Sequence, residues 1–235
     1  MGQAGIPLFY LQHFADVYMK GGAVCRDNFG GTELFWGWRE FLGEASEVGK
    51  AVVVAGDQVA LNIDSTKNGC WDDDNNEGIR ILMNPIAFPC EIKIRLDEFS
   101  NNDKTQVGLF ISKAPVSFGA INWYGICRKR DSAQGKNGIC VVETMWINKA
   151  SNDVLKLPVW LRLRVGSTAT SAVSVYFDYS LDNIEWVNMH YESTGWTLFS
   201  LAGAGIGVYA SNDFATKLAI LSKFSKFKMR SQTPD

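Results

Sequence analysis

The feature that most constrains this chain is alternation. Nearly every apolar run repeats with period two, and almost none with the period of a helix. Val59, Leu61 and Ile63 alternate with Ala60 and Asn62. In CEIKIRLDEF, Ile92, Ile94 and Leu96 point one way while Glu91, Lys93 and Arg95 point the other. Val107, Leu109 and Ile111 continue the pattern, as do Val159, Leu161, Leu163 and Val165 against Trp160, Arg162 and Arg164. Val173, Val175, Phe177 and Tyr179 make a further row, and Ile206 and Val208 another. Successive side chains of a strand leave opposite faces, so each row reads as a half-buried strand. Turn clusters separate the rows: Ala55-Gly56-Asp57, Ser100 to Asp103, Gln134 to Gly138, Ser180 to Asn183 and Ser211 to Asp213. About a dozen strands at hairpin spacing, polar on one face, predict an all-β fold of two stacked antiparallel sheets.

Residues 1–24 stand apart. PLFYLQHFADVYMK is aromatic, fits neither period, and ends at Gly21-Gly22. We read residues 1–24 as an N-terminal arm that docks on the sandwich or on a neighbouring subunit, and residues 25–235 as one β-sandwich domain. A chain of 235 residues, 46% of them hydrophobic, can bury one large core without dividing. The formal charge of −2 gives no general attraction to nucleic acid or an acidic membrane. No run is long enough for a membrane-spanning helix. The first residues lack a basic start and a small-residue cleavage site, so no secretory signal is expected; synthesis in the cytoplasm follows. There is no Asn-x-Ser/Thr acceptor. Five cysteines, an odd number without C-x-x-C spacing, argue for buried thiols rather than a disulfide framework or a zinc site. Cys127 and Cys140 fall where they face each other across one hairpin, which leaves a single bridge open.

From Asp27 onward the order of motifs resembles the concanavalin A-like lectin/glucanase superfamily, over about residues 27–230. The segment DNFGGTELFWGW resembles its opening, an Asp-x-Phe followed by a Trp. FPCEIKIRLDEF and QVGLFIS resemble its two central strands. WLRLRVGSTATSAVSVYFDYSLDNIEW resembles its Trp-Leu-Arg strand, aromatic strand and Ser-x-Asp-x-x-x-Trp hairpin, and GIGVYASND with KFSKFKM its closing strands. The likeness is greatest to the non-catalytic modules appended to glycosidases, and it implies a two-sheet jelly roll. Where many relatives end on acidic residues, this chain has Lys223, Lys226 and Lys228. The resemblance also implies structural parts for Trp36, Trp38, Trp160 and Trp186.

Glucanases of that superfamily place carboxylates in a Glu-x-Asp-x-x-Glu row, on one face of one strand and within reach of one glycosidic bond. No such row occurs here; Glu143 stands alone in ICVVETMW, and no catalytic residue is expected. Eight tryptophans favour ligand stacking instead, since sugars pack their C–H faces on aromatic rings beside amides and carboxylates. Trp123, Tyr124 and Trp146, with Asn122, Glu143 and Asn148 beside them, form the candidate carbohydrate face; core packing is the competing explanation. The loop Asp72-Asp73-Asp74-Asn75-Asn76-Glu77-Gly78 offers oxygens for Ca2+, with Asp72, Asp74 and Asn76 as ligands, or is a solvated loop. Arg128-Lys129-Arg130 reads as a basic hairpin tip. Three functions follow, in order: a non-catalytic carbohydrate-binding module; a structural or assembly protein of a virion or appendage, held by residues 1–24; and a glycoside hydrolase. The expected partners are a glycan or neighbouring subunits, in a possible homo-oligomer, with no nucleic acid and no membrane.

Overall fold

The computed structural model describes residues 24–34, 37–42, 49–65, 77–83, 89–112, 123–143, 147–167, 173–193, 205–212 and 218–231. Residues 1–23 of the expected arm therefore lie outside the described residues, while Val24 begins the first strand; Asn122, Trp146, Asp72, Asp74, Asn76 and Trp36 lie outside as well. Among the described residues there are fifteen strands and no helix. They are β1 (Val24–Asp27), β2 (Arg39–Phe41), β3 (Lys50–Ala55), β4 (Gln58–Ile63), β5 (Ile79–Met83), β6 (Cys90–Phe99), β7 (Thr105–Ser112) and β8 (Trp123–Asp131). They continue with β9 (Lys136–Glu143), β10 (Ile147–Asn152), β11 (Val159–Ser167), β12 (Val173–Ser180), β13 (Val187–Ser193), β14 (Gly205–Asn212) and β15 (Ile220–Ser231).

These strands make two antiparallel sheets, as the alternation predicts. An eight-stranded sheet runs β13-β12-β11-β6-β15-β4-β3, with β1 also on β15; a seven-stranded sheet runs β10-β9-β8-β7-β14-β5-β2. One continuous apolar layer lies between them, built from the expected rows: Ile92, Ile94, Leu96, Leu161, Leu163, Val175 and Phe177 from one sheet, Val107, Leu109, Ile111 and Val208 from the other. The rings of Phe177 and Tyr124 bridge the layers with centroids 6.4 Å apart. The β3–β4 hairpin closes on Gly56 and Asp57, both with positive φ (61° and 60°). That pair of left-handed residues matches the twist of a two-residue hairpin.

The opening motif is a packing device. Asp27 accepts the backbone N–H of Phe29 (2.6 Å) and the indole N–H of Trp38 (2.8 Å), and Trp38 meets Phe227 edge-on at 4.7 Å. Asp27 and Trp38 are both buried, so each needs the other as its hydrogen-bond partner.

Candidate functional site

The structure divides the sequence-derived sugar face between two surfaces. Trp123 and Tyr124 are consecutive on β8, so they leave opposite faces of the seven-stranded sheet. Trp123 is wholly buried in a second apolar cluster on the outer face, with Phe110, Leu82, Val142, Cys127, Cys140 and Tyr209. Its ring lies 5.1 Å from that of Tyr209, edge to face. Asn148 is on the same outer face, where it hydrogen-bonds Gln134 and accepts from Lys129 Nζ at 3.3 Å. Tyr124 faces inward, and its hydroxyl donates to Glu143 Oε1 at 3.1 Å. The four described residues, Trp123, Tyr124, Glu143 and Asn148, are not one ligand face, and a ring with no exposed surface offers no stacking platform.

The outer face of the seven-stranded sheet carries a second correction. β5, β7 and β14 are buried on both faces, not only on the alternating one. Phe110 and Tyr209 alternate across the strands with Gly207, Gly125 and Gly108. A Cβ at Gly207 would fall 1.9 Å from the carbonyl oxygen of Ile81, and one at Gly108 2.3 Å from that of Ile126. Only glycine fits there. Arg128 and Lys129, expected at an exposed hairpin tip, sit within β8 and are buried; Lys129 Nζ lies 3.7 Å from the Asp131 carboxylate. Their hairpin turns later, at residues 132–135. Cys127 and Cys140 are cross-strand partners, as expected, and both are free thiols. Burial pushes the Cys127 thiol up to about 12.

Glu143 belongs to a chain of polar groups at the margin of the sandwich. It binds Lys149 Nζ at 2.7 Å; Lys149 also reaches Glu192 (3.8 Å), which pairs with His190 Nε2 (3.1 Å). The hydrogen bond it donates to Glu143 holds the Lys149 ammonium above its ordinary pKa. In the acidic segment, Glu77 is engaged with buried Lys50, which donates to its carboxylate at 2.6 Å and its carbonyl at 2.9 Å.

The open surface that combines aromatic rings with hydrogen-bonding groups is the outer face of the eight-stranded sheet. Alternation on β6, β11 and β12 sends Lys93 and Arg95, Trp160, Arg162 and Arg164, and Tyr176 and Asp178 outward. The Ser-x-Asp-x-x-x-Trp hairpin delivers one more ring. Asp182 Oδ1 accepts the backbone N–H groups of Ile184 (2.8 Å) and Glu185 (2.9 Å) and the Ser180 hydroxyl (2.9 Å), and Ser180 Oγ accepts the N–H of Asn183 (2.9 Å). Such side-chain bonds fix a turn, and Asn183 takes the left-handed conformation within it (φ 64°). The turn ends on Trp186, whose ring the Arg162 guanidinium covers at 3.9 Å. Lys93 Nζ lies 5.5 Å from the Trp160 ring and 5.9 Å from that of Trp186, and donates to Asn183 Oδ1 at 2.7 Å. Trp160 and Trp186 are thus half-buried on this face and not part of the core.

Beside them Tyr176 and Tyr191 pack with centroids 4.9 Å apart, and Tyr191 is 48% exposed. Asp178 anchors the middle. It receives Arg162 Nε at 2.9 Å, Arg164 Nε and an Arg164 terminal nitrogen at 2.8 and 3.1 Å, and Asn188 Nδ2 at 2.8 Å. Burial works to raise the Asp178 carboxyl, but the bonds from Arg164 and Asn188 and the two guanidinium charges outweigh it. Its pKa therefore lies below the ordinary aspartate value.

No protein-family model and no curated protein sequence matches the chain. The solved structures it resembles include carbohydrate-related proteins. A xylan β-1,4-xylosidase from Bacillus halodurans superposes with a TM-score of 0.60 at 14% identity, covering 86% of this chain and 38% of that one. A GH43 protein from Bacillus licheniformis gives 0.64 at 15% identity, covering 88% and 39%. Winged bean acidic lectin, complexed with methyl-α-D-galactose, gives 0.54 at 9% identity, covering 92% and 100%. The chain thus spans about two-fifths of the length of the bacterial enzymes and the full length of the lectin. Such identities speak for the fold alone. Strand order, shared apolar layer and these likenesses agree: the chain has the concanavalin A-like β-sandwich fold, the architecture of the lectin/glucanase superfamily its motifs resemble.

Proposed function

We propose that this protein is a non-catalytic carbohydrate-binding module, and that the glycan lies on the outer face of the eight-stranded sheet. One observation carries the reading: half-exposed rings of Trp160, Trp186, Tyr176 and Tyr191 flank a cluster of Arg162, Arg164, Asp178 and Asn188 on one open sheet. Aromatic faces take the C–H surface of a sugar, and fixed amides, carboxylates and guanidinium groups take its hydroxyls. The carboxylates nearby suit binding better than cleavage. A glycosidase acid must keep its proton near neutral pH, whereas Asp178 is held ionised by two arginines. Glu143 is tied to Lys149 and Tyr124.

A glycan-array screen of the intact protein tests this, followed by titration of the best ligand. Binding weakened at least tenfold by Trp186→Ala and by Tyr191→Ala, at unchanged melting temperature, is the expected result. Retention of full affinity in both variants would move the site elsewhere. Hydrolysis of xylan or a β-glucan that disappears in Glu143→Gln would replace the binding module with an enzyme.

A further inference from the structure

On the outer face of the eight-stranded sheet, four consecutive strands place cation directly against cation. Arg26 on β1 pairs with Lys228 on β15, Lys228 with Lys93 on β6, and Lys93 with Arg162 on β11. At β12 the row ends on a carboxylate, where Arg162 faces Asp178. Like charges at directly opposed positions work against a sheet, and nothing in the core requires this row, since its side chains face outward.

The acids nearest the middle of the row are shared with other cations. Asp178 serves Arg162 and Arg164, and Glu91 binds Arg230 at 3.0 Å while lying 3.6 Å from Arg162. Lys93 is held by a neutral amide, Asn183. Lys228 makes no hydrogen bond or ion pair among the described residues. Burial first, and then the neighbouring cations against a partly offsetting Glu91, hold both lysines below their ordinary pKa.

Neighbouring strands lie about 4.8 Å apart, so four cations in register span roughly 14 Å in a straight line. A ligand that neutralises the row needs regularly repeated negative charges along an extended, flat backbone. Resting on the carbohydrate reading above, the geometry points to an anionic polysaccharide, carrying carboxylate or sulfate on successive sugars, laid across the strands along Arg26, Lys228, Lys93 and Arg162. Its charged groups meet the cations, and a sugar ring beside Lys93 meets Trp160 and Trp186. Nucleic acid also repeats its charge, but a straight row does not follow the helical phosphate path of a duplex.

The test compares the intact protein with Lys93→Gln/Lys228→Gln. Its probes are polygalacturonate and alginate (carboxylate), dextran sulfate (sulfate), neutral xylan, and single-stranded DNA of matched charge density. Trp186→Ala is run in parallel, and melting temperatures show that each variant is folded. The inference expects an anionic glycan to bind, and to lose at least tenfold in affinity between about 50 and 500 mM salt. It expects a similar loss in the double lysine variant, and the carboxylate and sulfate arms identify which charge is read. Neutral xylan bound through Trp186, with no effect of the lysines, would overturn this inference and leave the carbohydrate reading standing. Failure of every glycan would overturn both. DNA bound as tightly as the best glycan, through the same lysines, would overturn the inference in favour of nucleic acid.

Discussion

Phe224 and Phe227 both point into the apolar layer, although three residues apart on one strand they should leave opposite faces. The register of β15 against β6 slips between Ser225 and Lys228, and Lys226 stands within the slip at φ 56°. A bulge adds one residue to one strand and so reverses its alternation. Before the bulge Ile220, Ser222 and Phe224 face inward; after it Phe227 and Met229 do. Lys226 itself is exposed, with its ammonium 6.0 Å from the Trp160 ring.

A left-handed conformation costs an L-residue about 1–2 kcal/mol, and a β-branched residue more. Lys226 already bears that cost, so Lys226→Val should destabilise the protein by roughly a further 1 kcal/mol through its branched Cβ, and Lys226→Gly should stabilise it by up to about 1 kcal/mol. Urea denaturation of the two variants is the check. Equal stability of the Val and Gly forms would mean that the bulge carries no backbone strain.

Asp178 should be the most costly polar residue to remove from the open face. Asp178→Asn keeps the shape but leaves Arg162 and Arg164 facing an uncharged group, and breaking such a pair costs about 3 kcal/mol. The pH dependence has a definite sign. The folded pKa lies below the ordinary 3.8, so the stabilisation is complete above that value and disappears as pH falls through the folded pKa. Thermal melts of wild type and variant should differ at pH 7 and converge in strong acid. A constant difference across that range would assign the effect to packing.

Gly207→Ala should cost about 3 kcal/mol, at the upper end of what overpacking does, because its methyl would press on the Ile81 backbone and not on a side chain that can turn away. Gly166, on the outer face of the other sheet, has open space around it and provides the control. Gly166→Ala as damaging as Gly207→Ala would point to a general cost of losing glycine.

Lys93 and Lys228 supply a prediction at the alkaline end. Their folded pKa values lie below the ordinary 10.5, so the unfolded chain holds these protons more tightly. The resulting penalty is present at neutral pH and is relieved as pH rises from the folded values towards 10.5. Lys93→Gln/Lys228→Gln should accordingly be at least as stable as wild type at pH 7, and its advantage should shrink by pH 10. A variant less stable at pH 7 would show that the lysines hold the sheet together.

The inner face of both sheets was legible because alternation and burial coincide there, as at Ile92, Ile94 and Leu96. The buried outer face was not. Arg128 and Lys129 read as a solvent-facing tip because a buried cation has the same letter as an exposed one, and only the third dimension decides. Neighbours in sequence also misled: Trp123 and Tyr124 adjoin in the chain and are separated by the thickness of a sheet. The last strand hid its inward face because KFSKFKM spaces its phenylalanines by three. The outward residues Lys93 and Arg162 were visible as such. That Lys93 opposes Arg162 and Lys228 depended on which strands pair across 69 and 135 residues of chain. The turn at Ser180 and Asp182 was visible as a motif, and its effect on Trp186 followed once β11 was known to lie beneath it.

The position of β15 governs how this molecule must be assembled during biosynthesis. Its residues 220–231 separate β6 from both β4 and β1, so they join strands made far earlier to one another. The β7–β8–β9–β10 meander pairs through short connections and can form as it emerges, with only the free side of β7 waiting for β14. The larger sheet cannot: until β15 arrives, the β3–β4 hairpin has no neighbour, and β6 lacks one side. A nascent chain therefore carries uncovered apolar strands for most of its synthesis, and that interval, more than the stability of the finished sandwich, is when it is exposed to aggregation.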